Sequence, residues 1–360
     1  MLLIDGHLDL SMNAVHWNRD LTRPLDEVRR REAHLKDKPD RGRGVITFPE
    51  LRRGNIGLCI ATQIGHSVSE SSPVQGWHSP EIAWAQTQAQ LAWYRVMEER
   101  GELLQIVDRA GLLAHVAAWQ THLSTPDPSG DAPPIGYLLS LEGADSMLTP
   151  AYVEKAYAYG LRAIGPAHYG PGRYAPGTGA TGGLEPRGRE LLKQMRELGI
   201  CLDLTHLTDE AFWEALDLFD GPVWASHQNC RALVPHQRQH SDEQIKAIIA
   251  RDGILGMAFD AWMMVPGWVR FETTPQASGV CIETIVNHID HICQLAGSAR
   301  QVGIGSDLDG GYGQEQTAAD LETIADLQKL PQILARRGYS TEDIQGIMHG
   351  NWLRVLSAAL

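Results

Sequence analysis

"LLIDGHLDL", residues 2–10, is an apolar run that ends in Asp5, His7 and Asp9. Side chains alternate along a strand, so residues 5, 7 and 9 would share a face and set three metal-capable groups at one strand end. Seven further runs repeat the plan: "NIGLCIATQ" (55–63), "IGYLLSLEG" (135–143), "LRAIGPAH" (161–168), "ICLDLTH" (200–206), "PVWASH" (222–227), "GILGMAFD" (253–260) and "QVGIGSDLD" (301–309). Between them lie helical patterns such as "PRGRELLKQMRELG", "TDEAFWEALDLF" and "SDEQIKAIIARDG". Several begin on Ser, Thr or an acid and end on Gly, as helix caps require. Near-continuous apolar strands alternating with helices make a parallel sheet covered by helices. Eight such units predict an α/β fold, one closed (β/α)₈ TIM barrel over residues 1–360, with long rim loops at 11–49 and 169–184. A doubly wound sheet fits less well. No G-x-G-x-x-G follows the first strand, and "GPGRYAPGTGATGG" (170–183) lacks the Lys-Ser/Thr of a P-loop.

Bulk properties narrow the function. Across 360 residues, 43% hydrophobic and 21% charged residues suit a globular protein with a large core. Lys plus Arg number 31 against 44 Asp plus Glu, a formal charge of −13, which argues against nucleic acid or anionic membrane as partner. The basic stretch "RRREAHLKDKPDRGRG" is interleaved with acids and reads as a solvated helix and loop. Five cysteines without a C-x-x-C fit a reducing compartment. With no basic, apolar leader at the start and no apolar stretch of spanning length, the cytoplasm is the expected location.

In such barrels function collects at the C-terminal strand ends. Those ends carry His7 and Asp9, Glu142, His168, His206, His227 and Asp307. A lone histidine or strand-end acid is ordinarily a satisfied polar residue or a helix cap. Gathered on one rim, imidazoles and carboxylates suit zinc or a similar divalent ion. Three histidines and two carboxylates, one of them shared, make a two-metal hydrolase site that holds a bridging hydroxide at neutral pH. Asp5, deeper in, is expected to position a ligand through a hydrogen bond. Trp17, Trp77, Trp262 and Trp268 fall on rim loops, where they either anchor local packing or narrow a pocket.

"DGHLDL", "LEG" (141–143), "DLTH" (203–206), "PVWASH" and "GIGSDLDG" (303–310), with "GNWLRVL" (350–356) near the end, resemble the membrane (renal) dipeptidase family of zinc peptidases. The resemblance runs in order along almost the whole chain. It implies a (β/α)₈ barrel related to the amidohydrolases, cleavage of dipeptides, two zinc ions per chain and a homodimer. By position, it implies that His7 and Asp9 bind one zinc, His206 and His227 the other, and that Glu142 bridges them. Asp307 would be the acid–base residue, His168 would contact the scissile carbonyl, and Arg238 would hold the substrate carboxylate. A bidentate guanidinium suits a planar carboxylate, although "PHQRQHSDE" also reads as an exposed loop. The family's first motif reads H-N-D-L-P, whereas here Leu8 and Ser11 replace Asn and Pro. Those departures bear on dipeptide specificity rather than on the ligands. Two other readings stay open: a binuclear amidohydrolase for another small amide, lactam or N-acyl amino acid, and a barrel that binds metal without catalysis.

Overall fold

Each of the eight apolar runs forms a strand in the computed structural model, which describes residues 1–69, 72, 75–125 and 132–360. In chain order the strands are β1 (Leu3–Leu8), β2 (Ile56–Ile64), β3 (Leu103–Gln105), β4 (Ile135–Glu142), β5 (Leu161–Gly165), β6 (Cys201–Asp203), β7 (Val223–Trp224), β8 (Leu255–Met257) and β9 (Val302–Ile304). All pairings are parallel, in the order β7-β6-β5-β4-β2-β1-β9-β8. An isolated parallel bridge from Ala225 to Leu255 joins the two ends, so eight strands close into a barrel. The ninth, β3, was not expected. It pairs with the first residues of β4, on the edge that β5 takes over from Leu139 onward.

Helices cover the outside for the reasons the caps suggested. Ser79, Thr208 and Ser241 each accept a backbone N–H in the first turn of the helix they precede, and Ser241 forms a capping box with Gln244. Gly199, at φ 70°, ends the helix Pro186–Leu198 in the left-handed conformation that glycine adopts without strain. No helix among the described residues is long and apolar enough to cross a membrane. The cysteines are free, with Cys59, Cys201 and Cys230 buried.

Three expectations need correction. First, residues 11–49 are not a plain loop, because they contain most of the helix Leu10–Val15, the helix Leu25–Glu32 and the start of the helix Phe48–Arg53. Second, the basic stretch is not simply solvated. Glu32 and Asp40 are buried on Arg19, whose guanidinium reaches Glu32 at 2.9 and 3.1 Å and Asp40 at 2.8 Å. Arg41 adds a 2.8 Å contact to Glu32, and Asp309 stands 3.8 Å from Arg19. The cluster therefore clamps the segment to the chain just past β9. Third, β1 carries a register shift between Asp5 and Leu8, where three residues face two on β2. A bulge of this kind breaks the alternation. Asp5 is fully buried, and its Oδ1 accepts the backbone N–H groups of His7 (3.1 Å) and Ser306 (2.8 Å), so it holds the backbone of the ligand strand.

Under the barrel, Asn351 donates to the carbonyls of Ala299 and Val302 at the start of β9. The next residue, Trp352, is fully buried, donates to the Ile304 carbonyl at 2.8 Å and packs edge-on to Trp224 of β7. A β-carbon at Gly6 or Gly303 would collide with its indole. Two strand glycines thus make room for one tryptophan that fills the barrel at the end away from the strand tips.

Candidate metal centre

His7 and Glu142 sit at the ends of β1 and β4, whereas Asp9, His168, His206, His227 and Asp307 occupy the segments just beyond strands that end early. Side chains take over the backbone donors there: Asp203 Oδ1 accepts from Thr205 N and Ser226 N, as Asp5 does for His7 and Ser306. His206, Asp307 and Asp309 have positive φ (69°, 57° and 58°), a conformation costly for residues other than glycine and concentrated at functional sites. His206 and Asp307 turn into the mouth, whereas the Asp309 carboxylate accepts from Val45 N and Ile46 N.

Seven predicted residues converge. Glu142, at the tip of β4, is the hub. Its Oε1 faces His206 Nε2 (3.2 Å) and His227 Nε2 (3.4 Å), while its Oε2 faces His7 Nε2 (3.7 Å) and His168 Nε2 (3.8 Å). His7 Nε2 also lies 3.8 Å from Asp9 Oδ2 and 3.8 Å from Asp307 Oδ1. Three overlapping sets, His7–Glu142–His227, Glu142–His168–His206 and His7–Asp9–Asp307, offer atoms close enough to share an ion.

The ring nitrogens show that these donors fit a cation. Thr178 Oγ1 sits 2.9 Å from His206 Nδ1, and Ser226 Oγ 2.9 Å from His227 Nδ1. With those hydroxyls accepting Nδ1–H, the two Nε2 lone pairs point at each other across 3.1 Å. Two lone pairs at that distance repel unless they share a proton or both face a positive ion lying off the line between them. His7 Nε2 is buried and has no hydrogen-bond partner among the described residues. A buried ring nitrogen without a partner suits a metal ligand.

Electrostatics agree. Burial pushes the Glu142 carboxyl up to about 8 and Asp307 well above the usual carboxylate range. Burial also holds His168, His206 and His227 well below the ordinary imidazole value. For His7, burial acts downward, but Glu142, Asp9 and Asp307 prevail and push it up to about 10. Three imidazoles are held neutral, His7 takes up a proton among three carboxylates, and the Glu142 and Asp307 carboxyls are driven toward their protonated forms. The cluster is thus short of positive charge that a divalent ion would supply.

The chamber above the cluster has a volume of about 230 Å³. Arg238 lines it, buried at 3% exposure, so the exposed-loop reading of "PHQRQHSDE" fails at this residue. Its Nη1 donates to Gln228 Oε1 (2.6 Å) and its Nη2 to the His227 carbonyl (3.0 Å), while Gln228 Nε2 donates back to the Arg238 carbonyl. Arg173 is turned away, with its guanidinium donating to the carbonyls of Asp145, Met147 and Leu148. The loop 169–184 reaches the site through Tyr169, which lines the chamber, and Thr178. Trp17 also lines the chamber, Trp77 stands farther out, Trp262 donates to Asp260 at 2.7 Å, and Trp268 lines a separate cavity.

Sequence reading missed three participants. His66 Nε2 lies 2.6 Å from His168 Nδ1, but it falls past the end of the second apolar run. Asp260 ends the seventh run and faces the chamber, with its carboxylate held by Gln316 and Trp262. The strand-end rule applied to "GILGMAFD" would have found it. Ser226, within "PVWASH", has its hydroxyl 2.9 Å from His227 and 3.4 Å from His7.

A closed parallel barrel with histidines and carboxylates gathered at its mouth defines the class of metal-dependent hydrolase barrels. Residues 1–360 match the model of the membrane dipeptidase family (peptidase family M19), and the chain belongs to that family. Among curated relatives, dipeptidase tcpJ of Claviceps purpurea is 32% identical over 48% of this chain and 38% of its own length. An uncharacterized protein encoded beside pqqA in Klebsiella pneumoniae is 33% identical over 56% of this chain and 73% of its own. The alignment thus spans well under half the length of the fungal relative. Among solved structures, an M19 metallopeptidase described as dipeptidase AC superposes with a TM-score of 0.78 at 22% identity, over 100% of this chain and 98% of that one. A Rhodobacter sphaeroides metallopeptidase, bound to a phosphinate mimic of the dipeptide L-Ala-D-Ala, gives 0.77 at 21% identity, over 100% of this chain and 99% of that one. At that identity these likenesses establish the fold.

Proposed function

We propose that this protein is a dipeptidase working through two zinc ions, with His7 and Asp9 on one ion, His206 and His227 on the other, and Glu142 shared. The observation that carries the reading is the division of Glu142, one oxygen toward His206 and His227 and the other toward His7. When bound, the ions would supply a water activated at neutral pH and a Lewis acid for the scissile carbonyl.

The chain's own residues do the rest. Arg238 spends two of a guanidinium's five N–H donors on Gln228 and His227, leaving the others for the free carboxylate of the substrate. His66 is kept neutral by burial. Donating to His168 Nδ1, it fixes the His168 proton on Nε2, where it can stabilise negative charge on the carbonyl oxygen. Asp307, whose carboxylate faces the chamber, accepts a proton from the attacking water and delivers it to the leaving nitrogen as the C–N bond breaks.

The test is metal content beside activity. Protein purified without chelator and reconstituted with zinc should hold about two ions per chain and hydrolyse Ala-Ala. Saturation at one ion removes the binuclear reading, and a two-zinc protein inert toward every dipeptide removes the peptidase reading.

A further inference from the structure

Beside the metal chamber lies a second one, more than twice as large at about 550 Å³ against about 230 Å³. Met12, Trp17 and Ile64 line both, so the two adjoin. The side chamber alone falls within the roughly 300–1,000 Å³ of small-molecule pockets, whereas the metal chamber falls short of it.

Topology fixes the direction in which it opens. Around the barrel, β7 stands three strands from β1 one way and four from β2 the other. Arg238 follows β7, whereas the side chamber is walled by residues that follow β1 and β2. The two therefore face each other across the mouth. A dipeptide whose carboxylate lies on Arg238 and whose carbonyl lies over Glu142 and His168 must extend its amino-terminal residue toward the side chamber.

We propose that the side chamber receives the side chain of the amino-terminal residue and that the enzyme prefers a bulky aromatic group there. The proposal rests on the dipeptidase reading above. Three rings form the walls. Trp17 is held rigid, its Nε1 donating to both oxygens of Asp40 (2.8 and 3.1 Å). His16 and Trp77 meet edge to face at 6.3 Å. Trp77 is 36% exposed, an apolar wall left partly uncovered. Aromatic side chains pack well on such surfaces in offset or edge-on geometry. Lys38 Nζ, 3.8 Å from the Trp17 ring centroid, places a positive charge at the same chamber and disfavours a cationic side chain of similar size. Occupancy is also tied to the chemistry. Trp77 exchanges backbone hydrogen bonds with the segment that carries His66, the partner of His168.

The experiment compares two dipeptide series on the zinc-loaded protein, Xaa-Ala and Ala-Xaa, with Xaa as Ala, Leu, Phe or Lys. Phe-Ala should exceed Ala-Ala in kcat/KM by at least about tenfold, the discrimination that filling a hydrophobic pocket gives. Neither Lys-Ala nor Ala-Phe should gain. Trp77→Ala should collapse the Phe-Ala to Ala-Ala ratio toward unity, and Trp77→Phe should keep most of it. Should Trp77→Ala fail to fold, Lys38→Glu decides instead, because it should raise Lys-Ala relative to Ala-Ala. Equal rates for Phe-Ala and Ala-Ala, a preference confined to Ala-Phe, or a ratio untouched by Trp77→Ala would overturn the chamber's role while the dipeptidase reading stands. If no dipeptide of either series is cleaved, the dipeptidase reading fails and the chamber's role falls with it.

Discussion

Asp307 is half-buried, lines the chamber, sits on a left-handed backbone turn and has His7 Nε2 at 3.8 Å. If it moves the proton, Asp307→Asn should lower kcat by roughly 10²–10⁴-fold, the usual worth of general acid–base catalysis. Zinc content should hold near wild type, and near-normal turnover would remove Asp307 from the mechanism. Arg238→Met should weaken kcat/KM for dipeptides by about ten- to a hundredfold, the cost of losing a charged hydrogen bond. C-terminally amidated analogues should lose much less, and equal losses for both substrates would make Arg238 structural. Most of this site was legible residue by residue, because a strand-end rule needs only the apolar run and the polar residue that stops it. His66 and Arg238 were harder. His66 lies beyond its run, and Arg238 is buried by a clasp with Gln228 that no spacing encodes.

At the scale of elements, the eight barrel strands were readable and their ends were not. Hydrophobic runs mark where a strand can be buried, but the ladders stop where Asp5 and Asp203 capture backbone donors, a long-range event. Within 11–49 it was burial that the charges hid. Arg19, Glu32, Asp40, Arg41 and Asp309 look like surface residues until the fold buries them together. Removing one member of a buried charge cluster leaves the others uncompensated, so Arg19→Met should cost about 3–5 kcal/mol. Urea unfolding of zinc-loaded protein measures it. A midpoint like that of the wild type would show that the clamp contributes no net stability.

Across the whole molecule, several histidines are folded in as neutral groups. His288 accepts from Cys230 N at Nδ1 and donates from Nε2 to the Met264 carbonyl, and burial holds its pKa down at about 4. A group whose folded value is depressed below an unfolded value near 6.5 costs stability as pH falls between the two, because the unfolded chain binds the proton first. His288→Gln removes that component. The stability advantage of wild type over this variant should therefore shrink by on the order of 2 kcal/mol from pH 7 to pH 5. Chelated protein followed by urea titration at both values checks it, and a constant difference would show that His288 is not neutral in the fold.

Trp352 adds an ordering in time. It enters the barrel among Gly6 of β1, Gly303 and Ile304 of β9 and Trp224 of β7, so strands laid down early and late in synthesis share one filler. Domains tend to fold as units during synthesis, amino-terminal parts first. Here the ribosome must deliver residue 352 before the strands it joins can close. A nascent chain stalled short of it carries β1 to β9 without the indole for which Gly6 and Gly303 leave room, so closure is expected only once the helix Asn351–Ala359 has emerged.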